Sequence, residues 1–341
     1  MTTSTRTGLA GHELIKGRAA GDDLLMLVDP DCDIPLTAAD IAAVCDRRAG
    51  VGASGLVRVV RTANLPGAER FAAAVPEAEW FMDHYGADGA VAETAPGAVL
   101  LLAQTLIAES LDTIPEGASV TIGTRGGART ATRIGDLWAV DMGPARIPSR
   151  PATTADPGGA DSADADDDWP GWDTAVVIPG IDGPRAGLSV AMTGAAFPRI
   201  VIALADEAEL DAASPEGADG PGSAVRYEPE PSEPVALDAV VPLGEETDPA
   251  SGAVIGVARW RALSRSAGAA PSTGMGCCAA AAALHEWEGE GAPESYRLLL
   301  PGEEIGVHVG HAGDAGAAPG GPGESMILTG QARLIARVTV L

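Results

Sequence analysis

The stretch from Glu79 to Leu111 constrains the fold more than any other part of the chain. Trp80 to Met82 indicates a short buried strand, and a turn is expected at Gly86 to Gly89. Pro96 stands where a helix can begin, because a residue in the first helical turn needs no partner for its N–H group. We predict a helix from about Pro96 to about Leu111. Its leucines surround most of the circumference, which is typical of a helix buried inside a domain.

A second stretch, Ser264 to Trp287, repeats this plan. A turn rich in Gly, Ser and Pro leads into a predicted apolar helix from about Gly274 to about His285, with Ser272 or Thr273 as its cap. Both helices begin with small residues, and the free N–H groups of a helix N-terminus favour an anion. An ordinary core helix is the alternative interpretation at each end. Two such ends facing each other would form a pocket for a zwitterion or a dicarboxylate.

Six further segments come in the order and at about the spacing of a known protein family. They are Leu14-Ile15-Lys16-Gly17, Cys45-Asp46-Arg47-Arg48-Ala49-Gly50-Val51-Gly52, Trp80-Phe81-Met82-Asp83, Ala87-Asp88-Gly89 with Ala92-Glu93, Val140-Asp141-Met142-Gly143-Pro144 and Leu328-Thr329-Gly330. On these segments the chain resembles the diaminopimelate epimerase family over nearly its whole length.

The resemblance implies an α/β (α+β) fold of two pseudo-symmetric domains. Each domain would wrap strands around a central helix, with the active site in the cleft between the domains. The N-terminal domain is expected over residues 1–126, completed by about 330–341, and the C-terminal domain over 127–329. An acidic segment at about 149–172 is expected to be a disordered insertion, since it is low in complexity and lacks the spacing of a calcium loop.

Members of the family interconvert LL- and meso-2,6-diaminopimelate in the biosynthesis of lysine and of peptidoglycan precursors. They invert the α-carbon with two cysteines, one acting as a thiolate base and the other delivering a proton from the opposite face. The resemblance places Ala95 and Thr273 at these two positions. Alanine cannot move a proton, and a threonine hydroxyl is far too weak an acid to ionise at neutral pH. We therefore expect lost or strongly reduced epimerase activity.

The resemblance also assigns the positions that would bind substrate, and the polar groups that the family has there are mostly replaced. These positions are Asp22, Gly86, Pro96, Gly97, Phe197, Arg199, Ser264, Arg265, Gly274 and Met275. Arg265 keeps the residue of the family. The replacement of both proton-transfer groups together with polar ligands indicates a site released from its original chemistry.

Three hypotheses follow from this pattern. In the first, the chain no longer epimerises and serves as a binding, regulatory or oligomerising relative. In the second, it is an active diaminopimelate epimerase, or another amino-acid isomerase, with an unusual acid/base set such as Cys277 or Thr273 with Glu93 or Asp22. In the third, it is a lyase or dehydratase on the same fold, because such a reaction needs a single base.

The overall charge excludes two classes of partner. The formal net charge of the 341 residues is -26, so nucleic acid and anionic membranes would repel the chain. No stretch reads as a signal peptide or a membrane-spanning helix, and we expect a cytoplasmic protein. The expected partner is a small amino acid, a homodimer is left open, and no cofactor is expected because a complete phosphate-binding glycine motif is missing.

The four cysteines are Cys32, Cys45, Cys277 and Cys278, and their spacing does not predict a metal site. Cys277 lies four residues after Thr273, so its thiol could reach the pocket. The alternative for Cys277 is a small buried residue in an alanine-rich helix. His308 and His311 are expected to be solvated rather than to bind a metal.

Overall fold

The computed structural model describes residues 8–92, 95–149, 170–195, 197–214, 224–249, 251–263, 272–310 and 325–341. Most of the predicted acidic insertion therefore lies outside the described residues, as do Glu93, Ser264, Arg265 and His311.

The described chain is mainly β-strand, with few helices. The helices are α1 (Ala38–Cys45), α2 (Glu69–Ala74), α3 (Pro96–Ala108), α4 (Glu207–Ala212) and α5 (Thr273–Glu288), with a 3-10 turn at Thr62–Asn64. The strands are β1 (Glu13–Ala19), β2 (Asp22–Val28), β3 (Gly55–Arg61), β4 (Trp80–Gly86), β5 (Ser119–Thr124), β6 (Gly127–Ile134), β7 (Leu137–Arg146), β8 (Thr174–Val177), β9 (Arg185–Met192), β10 (Arg199–Ala203), β11 (Arg226–Glu228), β12 (Ala236–Thr247), β13 (Val254–Ala262), β14 (Ser295–Leu300), β15 (Glu303–Gly310), β16 (Ser325–Gly330) and β17 (Ala332–Thr339).

Helix α5 lies inside a closed ring of strands, called here the α5 ring. From β7 the pairing passes through β16, β15, β14, β13, β12, β10 and β9. Strand β9 then returns to β7 through the pairs Ala145–Met192 and Arg146–Ala191. Helix α5 packs against every one of these strands. Closure of the ring leaves few free strand edges around the helix.

Helix α3 is enclosed in a similar way by the other strands. Their pairing runs β17, β1, β2, β3, β4, β5, β6 and β7. Helix α3 packs against β1, β2, β3, β4, β6, β7 and β17. Strand β7 therefore contributes to the surroundings of both helices, and the buried residues around α3 and α5 belong to one continuous core.

The expected arrangement of strands around central helices is confirmed, and the sheet is barrel-like. The division into two pseudo-symmetric domains stays a prediction. Arg125 and Gly126, where we placed the boundary, form the turn between the paired strands β5 and β6. The last strand pairs with β1, in line with the expectation that the C-terminal residues complete the N-terminal half.

Local chemistry explains where several elements begin and end. Helix α3 begins at Pro96 as predicted but ends at Ala108 instead of Leu111, because Ser110 takes a left-handed backbone with φ of 56°. Helix α1 ends at Cys45, since the Asp46 side chain accepts the N–H groups of Arg48 and Ala49. Sequence analysis missed the short helices α2 and α4. Their six residues each are too few for a clear helical period.

Candidate functional site

The N-termini of α3 and α5 meet at the centre of the molecule. Ala95 is the N-cap residue of α3 and offers no side-chain cap, whereas the Ser272 hydroxyl accepts the N–H group of Met275 at 3.5 Å at the start of α5. The two ends are in contact, because a Cβ atom on Gly274 would lie only 2.9 Å from Cγ of Pro96. The two helix ends thus face each other as the sequence predicted, and they do so closely.

The side chain of Asp22 lies between these two ends. Its carboxyl group lies close to Thr273, the first residue of α5, whose backbone and hydroxyl groups act to lower the pKa of that carboxyl group. On the other side, a Cβ atom on Gly97 in α3 would be 3.3 Å from Oδ2 of Asp22. That oxygen is excluded from solvent and has no hydrogen-bond partner, although the residue as a whole keeps some exposure. A carboxyl group of the chain itself therefore occupies the space where two helix dipoles favour an anion.

Burial sets the protonation of Asp22. Loss of contact with water raises the pKa of Asp22 to about 7, and the hydrogen bonds from Thr273 act in the opposite direction without offsetting it. The nearby carboxylates of Asp23 and Glu303 raise the pKa further. Asp22 is therefore partly protonated near neutral pH, whereas an exposed aspartate is almost wholly ionised there.

The close approach of Asp22 to α5 depends on Gly21. This residue has φ of 77° in the turn between β1 and β2, and a Cβ atom on it would collide with the side chain of Thr273. The N–H group of Gly21 donates to Oε2 of Glu303 at 3.1 Å, and Arg18 donates to the same oxygen at 3.2 Å. Glycine is thus required both by the backbone and by the space available.

A buried ion pair lies beside the first turns of α5. Arg199 donates from Nε to Oδ2 of Asp238 at 2.6 Å and from Nη2 to Oδ1 at 2.9 Å. The exposed fractions are 5% for Arg199 and 0% for Asp238. A Cβ atom on Gly276 would lie 2.8 Å from Nη2 of Arg199 and 2.9 Å from Oδ1 of Asp238, so glycine makes room for the pair.

The comparison with known sequences identifies relatives of one kind. Diaminopimelate epimerase of Thermobifida fusca is 44% identical over 134 residues, which are 39% of this chain and 48% of the relative. The enzyme of Streptomyces coelicolor is 40% identical over 137 residues, 40% of this chain and 45% of the relative. That of Mycolicibacterium smegmatis is 29% identical over 301 residues, 86% of this chain and 89% of the relative.

This chain is a relative of the diaminopimelate epimerases. The region of the chain that matches the first two of these relatives spans about half of their length. No family model matches the chain.

Solved structures of related folds cover nearly all of this epimerase relative. A phenazine biosynthesis protein of the PhzF family from Bacillus anthracis has a TM-score of 0.56 at 10% identity and covers 97% of this chain and 99% of its own. A hydroxyproline epimerase from Agrobacterium vitis has a TM-score of 0.55 at 13% identity, with coverage of 96% and 92%. At such low identity the similarity establishes the fold alone.

The structure brings several of the predicted site residues of this epimerase relative together. Asp22, Pro96, Gly97, Thr273 and Gly274 meet at the two helix ends. Ala95 is 5% exposed at the start of α3, and Met275, in the first turn of α5, is 3% exposed.

Other predicted residues have different surroundings. The N–H groups of Arg199 described above are directed to Asp238. Gly86 ends β4, with Asp88 and Ala90 of its own turn as its neighbours. Phe197 is half-buried just before β10. Ser264 and Arg265 lie outside the described residues, so their placement stays a prediction.

The two cysteines of α5 are buried in the helix core. Burial raises the pKa of Cys277 well above its usual value, and the nearby Arg199 lowers it too little to compensate. Burial also raises the pKa of Cys278 to about 12. Both thiols therefore stay protonated at neutral pH, and both are fully excluded from solvent. Cys277 fits the interpretation as a small buried residue, rather than that as a displaced acid/base group.

Sequence reasoning missed Asp238 and Glu303. Asp238 is a single acidic residue in the apolar run from Val235 to Val241. A charged residue in a buried strand needs a residue of opposite charge beside it, so this position could have indicated an ion pair. Glu303 gave no comparable signal. His308, expected to be solvated, is half-buried in β15, and its Nδ1 lies 3.0 Å from the hydroxyl of Ser295.

No cluster of three or more His, Cys, Asp or Glu side chains is arranged to hold a metal ion in the described part of the chain. Within the same ranges, no helix is both long and apolar enough to span a membrane.

Proposed function

We propose that this relative of the diaminopimelate epimerases does not invert an amino-acid α-carbon by the two-thiol reaction, so that its epimerase activity is lost or strongly reduced. One observation supports this most directly. Ala95 stands at the start of α3 and Thr273 at the start of α5, so neither helix end carries a thiol. The methyl group of Ala95 has no exchangeable proton. The hydroxyl group of Thr273 has no neighbouring base strong enough to ionise it.

The cysteines of α5 offer no replacement for these thiols. Cys277 and Cys278 are fully buried, and their raised pKa values keep them in the thiol form. A proton relay through them would require a charged thiolate in the helix core, which desolvation disfavours.

The close contact of the helix ends also favours a role other than inversion. An inversion needs an acid and a base on opposite faces of the α-carbon, with room for the substrate between them. Here Asp22 occupies the space beside both helix ends, and Pro96 approaches Gly274 directly. We propose that the chain has a binding role in place of inversion, with a small amino acid as its ligand, within a cytoplasmic protein of amino-acid biosynthesis. A homodimer stays a prediction.

A second candidate function is a reaction that needs one base. Asp22 has a pKa of about 7 and a buried oxygen without a hydrogen-bond partner, which suits a group that accepts and returns a proton. In a lyase or dehydratase reaction, Asp22 would accept the proton of one carbon while the leaving group departs from the neighbouring carbon. This role requires the substrate to approach Asp22 from the side of α3.

The deciding experiment is α-proton exchange. The purified protein is incubated with LL- and meso-diaminopimelate in heavy water, and deuterium incorporation is followed by NMR. We expect no exchange and no interconversion of stereoisomers. Interconversion of the two stereoisomers would contradict the proposal outright.

Exchange with retention of configuration would instead favour the single-base reaction. In that case Asp22→Asn should abolish the exchange, because the amide has the size of the carboxyl group but cannot accept the proton. Cys277→Ala serves as the matched control and should leave the exchange unchanged. A loss of exchange in Cys277→Ala would point to a thiol mechanism.

A further inference from the structure

A separate cavity of about 480 Å³ lies on the outer side of strands β3 and β4, and it is called here the outer pocket. Its floor is formed by Arg58, Asp83, Tyr85 and Arg125, and its walls include Leu65 and Phe71. Its volume lies within the range of sites for small organic molecules. Nothing in the resemblance to the epimerases assigns a function to it.

The alternation of side chains along the two strands separates the outer pocket from the cleft. Val57 and Met82 point into the core that contains α3. Arg58 and Asp83, the next residue of each strand, therefore point to the opposite face, where they are direct neighbours across the strand pair. The sheet itself lies between the outer pocket and the helix ends.

Two ion pairs lie at the floor of the outer pocket; one is buried, and in the other only the carboxylate is buried. Nε of Arg58 is 3.6 Å from Oδ2 of Asp29, and the side chains are 8% and 4% exposed. Arg125 donates to Oδ1 of Asp83, whose side chain is fully buried, and Tyr85 donates to Oδ2 of the same carboxylate at 2.8 Å. Buried ion pairs are seldom the most stable way to fill a core, because desolvation opposes them. Their presence beneath a cavity favours a role in binding.

Arg125 has donors to spare. Its Nη2 atom donates to Asp83, and among the described residues the contact of Nη1 is a 3.5 Å hydrogen bond to the carbonyl oxygen of His84. The side chain is 30% exposed, and its guanidinium carbon lies 5.5 Å from the centre of the Tyr85 ring, a cation–π contact that helps to hold the group. A planar guanidinium held in this way can bind a carboxylate through two parallel hydrogen bonds.

The walls next to this cation are apolar. Phe71 and Phe81 lie with ring centres 5.5 Å apart, and Leu65 faces the same cavity. Apolar and aromatic walls with a small number of fixed polar groups are typical of a site for a small organic molecule. We propose that the outer pocket binds a small carboxylate with an aromatic or apolar body, its carboxylate on Arg125 and its body against Phe71 and Phe81.

The larger cavity of about 860 Å³ over β14 and β15 has no phenylalanine among its described lining residues. It contains four arginines, and three of them are paired: Arg18 with Glu303, Arg259 with Glu207 and Arg297 with Glu246. The fourth, Arg333, donates to Oε1 of Gln331. These arginines therefore face no pair of rings like Phe71 and Phe81.

Phenylacetate is the probe that tests the outer pocket. Binding is followed by the chemical shifts of the labelled full-length protein and by its melting temperature. We expect saturable binding with a dissociation constant on the order of 1 mM, as suits one carboxylate–guanidinium contact and one ring. 2-Phenylethylamine and 2-phenylethanol, which have the ring without the carboxylate, should bind at least about tenfold more weakly.

Two variants locate the site. Arg125→Gln should weaken phenylacetate binding by about tenfold or more, but it also frees the buried Asp83 and could impair folding. Leu65→Trp fills the cavity from its rim and leaves both ion pairs in place, so it should abolish binding in a folded protein. Asp22→Asn, in the cleft, and Arg333→Gln, an exposed arginine of β17, are the matched controls and should bind as the unchanged protein does.

Absence of saturable binding to the unchanged protein would overturn the proposal, as would normal binding to Leu65→Trp. Loss of binding in Asp22→Asn would move the site to the cleft and would equally overturn it. The exchange experiment on diaminopimelate does not depend on any of these results, so the proposal for the outer pocket and the proposed function fail separately.

Discussion

The two central helices begin beside each other but are packed by opposite means. The leucine side chains of α3 fill the space between this helix and the strands around it. Helix α3 begins with a proline and has no side-chain cap. Helix α5 consists mostly of alanine, glycine and cysteine, and its start is capped by Ser272 and bonded to Asp22. The small side chains of α5 let a buried ion pair, Arg199 and Asp238, approach the helix directly.

This difference shows that similar positions in the fold can be stabilised by different interactions. The α3 region depends on the volume of its apolar side chains, which close packing requires. The α5 region depends on polar contacts that must stay complete, because an unpaired buried charge is costly. Substitutions should therefore act by cavity formation near α3 and by loss of partners near α5.

The largest effect is expected from Asp238→Ala, which leaves the charge of Arg199 buried without a partner. We expect the free energy of unfolding to fall by about 3–5 kcal/mol, measured by urea denaturation. The double variant Arg199→Met with Asp238→Leu is the control and should recover most of this loss, since neither charge remains. A loss below about 1 kcal/mol in Asp238→Ala would mean that the α5 region does not depend on this pair.

Near α3, Leu101→Ala should lower the free energy of unfolding by about 2–5 kcal/mol through a cavity. Leu101 is fully buried and lies against Gly17 of β1. Ile335→Ala on β17, which is 60% exposed, is the matched control and should change stability by less than about 0.5 kcal/mol. Equal losses in the two variants would argue against packing volume as the basis of stability in this region.

Asp22 gives the contact between the starts of α3 and α5 a pH dependence. The folded-state pKa of about 7 lies above that of an unfolded aspartate, so the folded protein binds the proton more tightly. The contribution of Asp22 to stability is therefore complete at low pH and is lost as the pH rises from about 4 to about 7. The full shift corresponds to about 4 kcal/mol, which partial exposure reduces to on the order of 2 kcal/mol.

The measurement compares the unchanged protein with Asp22→Asn by denaturation at pH 5 and pH 8. The difference in stability between the two proteins should shift in favour of Asp22→Asn at the higher pH. Taking the difference removes the contributions of other carboxylates, such as Asp23, whose pKa is lowered. If the difference does not vary with pH, Asp22 is in contact with water and the helix ends are open.

The smallest effect concerns the caps. Ser272→Ala removes the side chain that accepts the N–H group of Met275, and about 1 kcal/mol of stability should be lost. Ser272→Asp is the matched control and should keep the cap. Helix α3 has no side-chain cap to remove. A loss of stability through removal of a cap is therefore expected for α5 and not for α3. A Ser272→Ala protein as stable as the unchanged one would mean that the rest of the α5 start supplies the necessary contacts.

Sequence reasoning was most successful where the signal was local. Pro96 followed by leucines predicted the start and the burial of α3, and Ser272 was one of two predicted caps of α5. Small residues at both starts indicated ends that would form a pocket if they faced each other. These inferences depend only on residues that are adjacent in the sequence, so they can be made without knowing the fold.

The remaining features depend on contacts between distant residues. Arg199 and Asp238 are paired across neighbouring strands, and no motif links their positions. The raised pKa of Asp22 depends on its burial between α3 and α5, which becomes known only with the fold. The outer pocket likewise combines Arg58, Asp83 and Arg125 from three separate segments.

The pairing of β1 with β17 has a consequence for biosynthesis. The strands of the α5 ring come from one continuous part of the chain, from Leu137 to Gly330. Strand β1 is made before these strands, but β17, its neighbour opposite β2, is made after them. On the ribosome, therefore, the strands of the α5 ring can pair with one another while β1 keeps an open edge, which favours wrong pairing until β17 has been made.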